Sequence, residues 1–392
     1  MTDSTWTDPE SELLERIRDR LGGESEGEDE DTTAVLATLV DVEGSAYRRP
    51  GAKMLFDADG GGTGAITAGC LEDELQRAAT EVRETGQPRL VSYDLREDGE
   101  SDVWGLGVGC NGRLEILLEP LAESLRPAVT AFDEGRDVAI CTVLADDGPL
   151  ECGDRAYYHP DERGGRFDAD SDPADWPTDA LDRPARELVE RGRGDRLERT
   201  LDGRRLEVFV DGFVAPPELL ICGAGHDVAP VVELAAAEFR VTVVGFRGAV
   251  DLTERFPEAD RTVTTSPARL RDALELDDRT YAVVMSHNVV DDRLAVDELL
   301  RSPAPYVGLL GPRERFEEMR AAFGAEGRQF TTGELERLYT PIGLDLGSGS
   351  PYGIAHSIVA EVLAVANDRE PGHLSARDGP IHERVDVADG RE

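Results

Sequence analysis

The sequence predicts an α/β protein in two parts, a mixed α/β amino-terminal domain followed by a doubly wound parallel-sheet domain of Rossmann-like type. Three observations carry that expectation. Residues 218–244 read as a βαβ unit: the apolar run Leu219 to Cys222, the turn Gly223-Ala-Gly225, an alanine-rich helical stretch, and a second strand from Arg240 to Val244. Beyond it, strand and helix signals alternate to about Asn367, as a parallel sheet requires. Before it, strand-like runs are separated by glycine-rich turns, with few amphipathic stretches between them. At 392 residues the chain is long enough for two ordinary cores.

Taken in order, residues 1–31 read as an acidic helix and linker, with Leu13, Leu14, Ile17 and Leu21 on one face of a helix over 8–21. The first domain spans 32–210. Its strands are expected near Ala34 to Val42, Lys53 to Asp57, Leu90 to Asp94, Leu114 to Leu118, Val138 to Leu144 and Leu206 to Val210, and its helices over Leu71 to Glu84 and Asp179 to Arg191. Residues 145–178 are acidic and weakly periodic, and read as an exposed loop or poorly ordered insertion. The linker 211–217 leads to the second domain, 218–369. After the βαβ unit this domain shows strands at Thr280 to Ser286 and Tyr306 to Leu310, and helices from about Asp291 to Leu300 and Arg313 to Phe323. A last helix starts at Ser350-Pro351, serine as its cap and proline at its first position. Residues 370–392 read as a tail.

Acidic residues outnumber basic ones by 82 to 42, a formal charge of −40. Such a field repels nucleic acid and anionic membranes, and excludes both as expected partners. Spread along the whole chain, the acidity reads as halophilic adaptation to a salty cytoplasm. It predicts a fold that needs counterions: refolding yield should rise between dilute buffer and molar salt, and equal yields would contradict it. Five cysteines without C-x-x-C spacing support neither a disulfide framework nor a zinc ribbon. The acidic amino terminus lacks the apolar segment of a secretory signal, and no apolar run approaches membrane-spanning length, so the expected location is the cytoplasm. There is no G-x-S-x-G, H-E-x-x-H or P-loop.

Chemistry is expected in two places. Arg48, Arg49 and Lys53, the chain's one lysine, cluster around a Pro-Gly turn, where they suit either an anionic ligand or a structural ion-pair patch. Cys70 follows a glycine and is expected to open a helix, a position that favours the thiolate, and Cys110 lies in a second glycine-rich loop. Cys141 and Cys222 fall in strands and read as buried hydrophobes. In the second domain, Gly223, Gly225, His226, His287, Asn288 and Asp345 should gather at the carboxyl edge of the sheet, where open α/β folds bind ligands. Val228 replaces the third glycine of a dinucleotide fingerprint, and the second strand ends in Gly245-Phe246-Arg247 without an acid for a ribose. Arg247 keeps open a 2′-phosphate, hence NADP.

These residues together resemble the XdhC/CoxI family, accessory factors of molybdenum hydroxylases such as xanthine dehydrogenase and carbon monoxide dehydrogenase. Gly44-Ser-Ala-Tyr-Arg-Arg-Pro-Gly-Ala-Lys-Met54, Gly69-Cys-Leu-Glu72 and Gly107-Val-Gly-Cys-Asn-Gly112 match the family's amino-terminal domain. Gly223-Ala-Gly-His226, Met285-Ser-His-Asn288, Tyr306 to Arg313 and Pro341 to Gly347 match its carboxyl-terminal domain. The resemblance implies a cytoplasmic homodimer that binds molybdenum cofactor, a pterin carrying a phosphate. It would protect the cofactor while a sulfurtransferase, a cysteine desulfurase, installs the sulfido ligand, then deliver it to a molybdenum hydroxylase apo-enzyme. In the first domain it implies cofactor contacts from Ser45, Arg48, Arg49 and Lys53, and from Glu72, Cys110 and Asn111, with Cys70 touching molybdenum or relaying sulfur. In the second it implies contacts from the sheet-edge residues named above. The chain departs from the family at Gly245-Phe246, where acidic residues are common. Two other readings stand beside this one: an NADP-dependent oxidoreductase using Gly223, Gly225 and Arg247, and a nucleotide-sensing regulatory module.

Overall fold

The computed structural model describes residues 10–22, 34–95, 112–160, 165–201, 203–248 and 250–378. The chain divides into two compact units between Ala215 and Pro216.

The first unit opens with helix α1 (Glu10–Gly22) and strands β1 (Val35–Gly44), β2 (Lys53–Phe56) and β3 (Gly62–Gly64). Helix α2 (Glu72–Thr85), β4 (Arg89–Asp94), β5 (Gly112–Pro120), α3 (Arg126–Asp133) and β6 (Val138–Asp146) follow. Strands β7 (Arg155–His159) and β8 (Arg166–Ala169), helix α4 (Thr178–Arg191), β9 (Gly194–Leu201) and β10 (Arg204–Phe213) complete it. The strands form two five-stranded antiparallel sheets, ordered β3-β2-β1-β5-β4 and β8-β7-β6-β10-β9.

Period-two alternation explains how these sheets stack. Val35, Ala37 and Leu39 of β1 face helix α2 with Met54, Phe56, Leu114 and Ile116. The alternate residues turn the other way: Leu36 and Leu55 join Ile140, Tyr157 and Phe213 of the second sheet, and Val40 and Leu117 join Leu144 and Phe209. Ala139, Cys141, Val143, Val208 and Val210 then face α4 on the far side. The layers run α2, sheet, sheet, α4. Both faces of the central strands are buried, so β1 and β6 read as continuous apolar runs. Two ion pairs lie in the inner layer, Lys53 with Asp211 and Arg155 with Glu119, all four side chains at most 10% exposed.

The structure corrects two expectations here. Residues 145–160 and 165–178 are not a loose insertion: they supply β7 and β8, and they bury Tyr157, Tyr158 and Trp176. The linker does not begin at 211, because Asp211 to Phe213 complete β10, which pairs with β6 and β9.

The second unit holds β11 (Glu218–Cys222), α5 (Ala229–Ala235), β12 (Arg240–Gly245), α6 (Leu252–Arg255), β13 (Arg261–Thr264) and α7 (Leu270–Ala273). It continues with β14 (Thr280–Val284), α8 (Val289–Leu300), β15 (Tyr306–Leu309), α9 (Arg313–Ala325), α10 (Thr332–Glu336), β16 (Leu338–Tyr339) and α11 (Pro351–Ala366). Its six strands are all parallel, in the order β13-β12-β11-β14-β15-β16. That is the doubly wound order, with the direction of winding reversed between β11 and β14. Helices α5 and α11 cover one face; α7, α8 and α9 cover the other. Ser350 caps α11 as expected, accepting from Gly353 N at 3.1 Å with Pro351 at the first position. Among the described residues no helix is long and apolar enough to cross a membrane.

Candidate functional site

In the first unit, segments far apart in sequence leave one end of one sheet. By the antiparallel register the chain leaves β1 after Gly44, enters β2 at Lys53, leaves β3 after Gly64, leaves β4 after Asp94 and enters β5 at Gly112, all at that same end. The turn 45–51 and the turn 65–71 therefore emerge together, staggered along the strands. Gly112 pairs with Gly44, and its backbone lies so close to the first turn that a Cβ there would meet Glu43 O at 2.7 Å and Ser45 O at 2.6 Å. Only glycine allows that approach. Cys110 and Asn111, just before it, lie outside the described residues.

The first turn shows Ser45 exposed, Arg48 and Arg49 half-buried, and the ring of Tyr47 58% exposed. Its base is fixed by backbone bonds from Gly51 N to Leu39 O at 2.8 Å and from Ala52 N to Arg49 O at 3.1 Å. Lys53 does not join this surface. Its ammonium is buried, donates to Gly51 O at 2.9 Å and to Asp211 Oδ2, and sits 5.3 Å over the ring of Phe213. Asp211 Oδ1 would lie 2.9 Å from a Cβ on Gly51, whose φ of 103° is a glycine conformation. Of the two readings left open by the sequence, Lys53 takes the structural one: it anchors the Pro50-Gly51 turn to the second sheet.

The second turn carries Cys70, which packs partly against the cluster under α2, as Ala46 of the first turn does. The helix begins at Glu72, two residues after Cys70, with Leu71 as its cap residue. The expectation that Cys70 opens the helix is therefore corrected, and the amides around it have another partner. Glu72 folds back and accepts from Thr67 Oγ1 at 2.7 Å, Gly69 N at 3.1 Å and Leu71 N at 3.0 Å. It shapes the turn that presents the thiol. Glu72→Ala should cost about 1–2 kcal/mol, the scale of a lost cap, and should speed alkylation of Cys70 mapped by mass spectrometry. Unchanged melting and unchanged alkylation would show that the carboxylate holds nothing. Burial holds other described cysteines in the thiol form, pushing Cys141 up to about 12 and Cys222 higher still. Burial, reinforced by the Glu119 carboxylate, raises Cys152 to about 11.

In the second unit the turns after β11 and β14 meet where the winding reverses. A Cβ on Gly223 would meet Met285 O at 2.7 Å, so this glycine serves the close approach of the two turns. His287 adopts a left-handed φ of 59° and its Nε2 pairs with Asp227 Oδ2 at 2.7 Å. Asn288 caps helix α8: its Oδ1 accepts from Val290 N and Asp291 N at 3.0 and 3.1 Å. His226 is exposed beside the pair. Asp345 is exposed in the long turn after β16, two strands away from β14 in the sheet order. Arg247 is held by Asp291 Oδ2 at 2.7 Å. Sequence reasoning missed Asp227 and Asp211. Asp227 sits inside the glycine turn and could have been grouped with His226; Asp211 lies 158 residues from its partner and carried no local signal. Among the described residues no group of three or more His, Cys, Asp or Glu is arranged to hold a metal ion.

Comparison with known proteins places both units. Residues 28–94 match the family model described as the XdhC and CoxI family, and residues 219–362 match the XdhC Rossmann domain. The chain is 28% identical over 340 residues to a Bacillus subtilis protein described as a probable xanthine dehydrogenase subunit, covering 84% of this chain and 92% of that one. Over 110 residues it is 30% identical to the molybdenum cofactor insertion chaperone PaoD of Escherichia coli, covering 27% of this chain and 33% of that one. A crystal structure of a Bacillus halodurans protein described as a xanthine dehydrogenase superposes with a TM-score of 0.68 at 29% identity, covering 92% of this chain and 96% of the other. Two family models in the expected order, together with a relative and a structure matched along nearly their whole length, establish that the chain belongs to the XdhC and CoxI family.

Proposed function

We propose that this protein is a maturation factor that carries molybdenum cofactor as cargo and delivers it to a molybdenum hydroxylase of the xanthine dehydrogenase or carbon monoxide dehydrogenase type. The observation that carries the reading is the convergence of the 45–51 and 65–71 turns at one end of the first sheet, on a scaffold whose relatives include an insertion chaperone. The residues present fit such a cargo. Arg48 and Arg49 supply positive charge for a phosphate in a chain of charge −40, and the exposed Tyr47 ring offers a face for a pterin. Cys70 offers a thiol that is not sealed in a core, next to the turn shaped by Glu72. Cys70 contacts the metal centre or relays sulfur, while a cysteine desulfurase partner supplies the sulfido ligand. The protein acts as a cytoplasmic homodimer and a chaperone without turnover of its own. Lys53 and Glu72 leave the set of cargo contacts because the ammonium and the carboxylate serve the fold.

The reading is tested by loading the protein with molybdenum cofactor and mixing it with apo-xanthine dehydrogenase. Activation should require the loaded protein and should scale with it. Equal activation by free cofactor alone would remove the delivery role.

A further inference from the structure

The glycine turn after β11 is where a sheet of this strand order receives a phosphate, since two glycines let an anion approach backbone amides beside a helix start. In this chain a side chain already stands there. The Asp227 carboxylate folds back over the turn, so that a Cβ on Gly225 would collide with Asp227 Oδ1, and Asp227 Oδ2 is held at 2.7 Å by Nε2 of His287. The tether comes from the β14 turn and spans the point where the winding reverses.

The rest of the edge points the same way. Helix α5 has seven residues and carries Pro230 in its first turn, which removes one of the amides an anion would use. Arg255, the cation beside the turn, donates to Ala224 O at 2.7 Å and holds the backbone. At the end of β12 stand Phe246 and Arg247, and the Arg247 guanidinium is paired with Asp291. Asp292, behind the β14 turn, is buried and paired with Arg315.

We propose that Asp227 sets the ligand specificity of this crevice: its carboxylate occupies the position of a ligand phosphate. The crevice therefore rejects nucleotides and dinucleotides that would place a phosphate on the turn, and admits neutral or cationic groups. A phosphate entering the turn meets both the volume and the charge of Asp227, and His287 keeps the carboxylate from swinging away. This assignment concerns the second unit alone and stands whether or not the first unit carries a pterin.

The test is a titration of NADPH, ATP and inorganic pyrophosphate against the full chain and its Asp227→Asn and Asp227→Gly variants, by calorimetry in one buffer of fixed salt. The native protein should bind all three more weakly than about 1 mM. Asp227→Asn, which keeps the volume and removes the charge, should bind at least one of them roughly tenfold more tightly, the scale of one like-charge contact in a partly solvated site. Asp227→Gly, which removes both, should gain at least as much. Micromolar binding of any of the three by the native protein, retained when Arg48 and Arg49 are both replaced by alanine, would overturn the proposal. So would variants that melt like the native protein and bind no more tightly than it does.

Discussion

Lys53→Ala will destabilise the protein by about 3–5 kcal/mol, because it leaves the buried Asp211 carboxylate without its counter-ion. The ammonium and carboxylate are nearly closed off from water, and the carboxylate lies against Gly51 in the turn that leads into β2. The loss should appear in chemical unfolding as a lower midpoint with an unchanged slope. A double replacement, Lys53→Met with Asp211→Leu, removes both charges and fills similar volume, and should recover most of the lost stability. The pair of experiments also separates structure from binding. If Lys53 served the cargo directly, the double variant would regain stability and still fail to retain cofactor. The structure predicts that it regains both, because Lys53 Nζ is already engaged by Gly51 O and Asp211.

Cys70→Ala should lower activation of an apo-hydroxylase by roughly tenfold or more, the scale of one lost contact, while leaving the melting temperature nearly unchanged. The side chain is only partly packed against the α2 cluster, so its truncation creates a small cavity at most. Cys141→Ala gives the matched control: that thiol is fully buried and its burial holds it protonated, so truncation should cost stability and spare activation per folded molecule. Equal activation by Cys70→Ala and native protein would remove the thiol from the mechanism and leave the basic turn as the candidate contact among the described residues.

Much of the second unit was legible in the sequence because parallel strands covered on both faces appear as short apolar runs closed by glycine turns. Leu219 to Cys222, Thr280 to Val284 and Tyr306 to Leu309 all lie in such runs, and the Ser350-Pro351 start of α11 was marked by its cap. The first unit was harder to read for physical reasons. Strands β8 and β9 lie at the two edges of their sheet and carry arginines and acids, which guard an edge but imitate a loop. In β7, Tyr157 and Tyr158 are both buried because adjacent residues point to opposite covered faces, so no alternation was visible. The site was legible as motifs but not as geometry. That Lys53 would turn inward to Asp211, and that Asp227 would lie on its own glycine turn, are tertiary contacts with no local pattern.

The most direct test of the maturation-factor account is the pterin and molybdenum content of the protein purified from a cofactor-producing host at molar salt, with Arg49→Ala and Cys70→Ala beside it. The account predicts about one pterin per chain in the native protein, as for a single saturated site, and a clear loss in both variants. A native protein that carries no pterin and takes up none from added cofactor would contradict it.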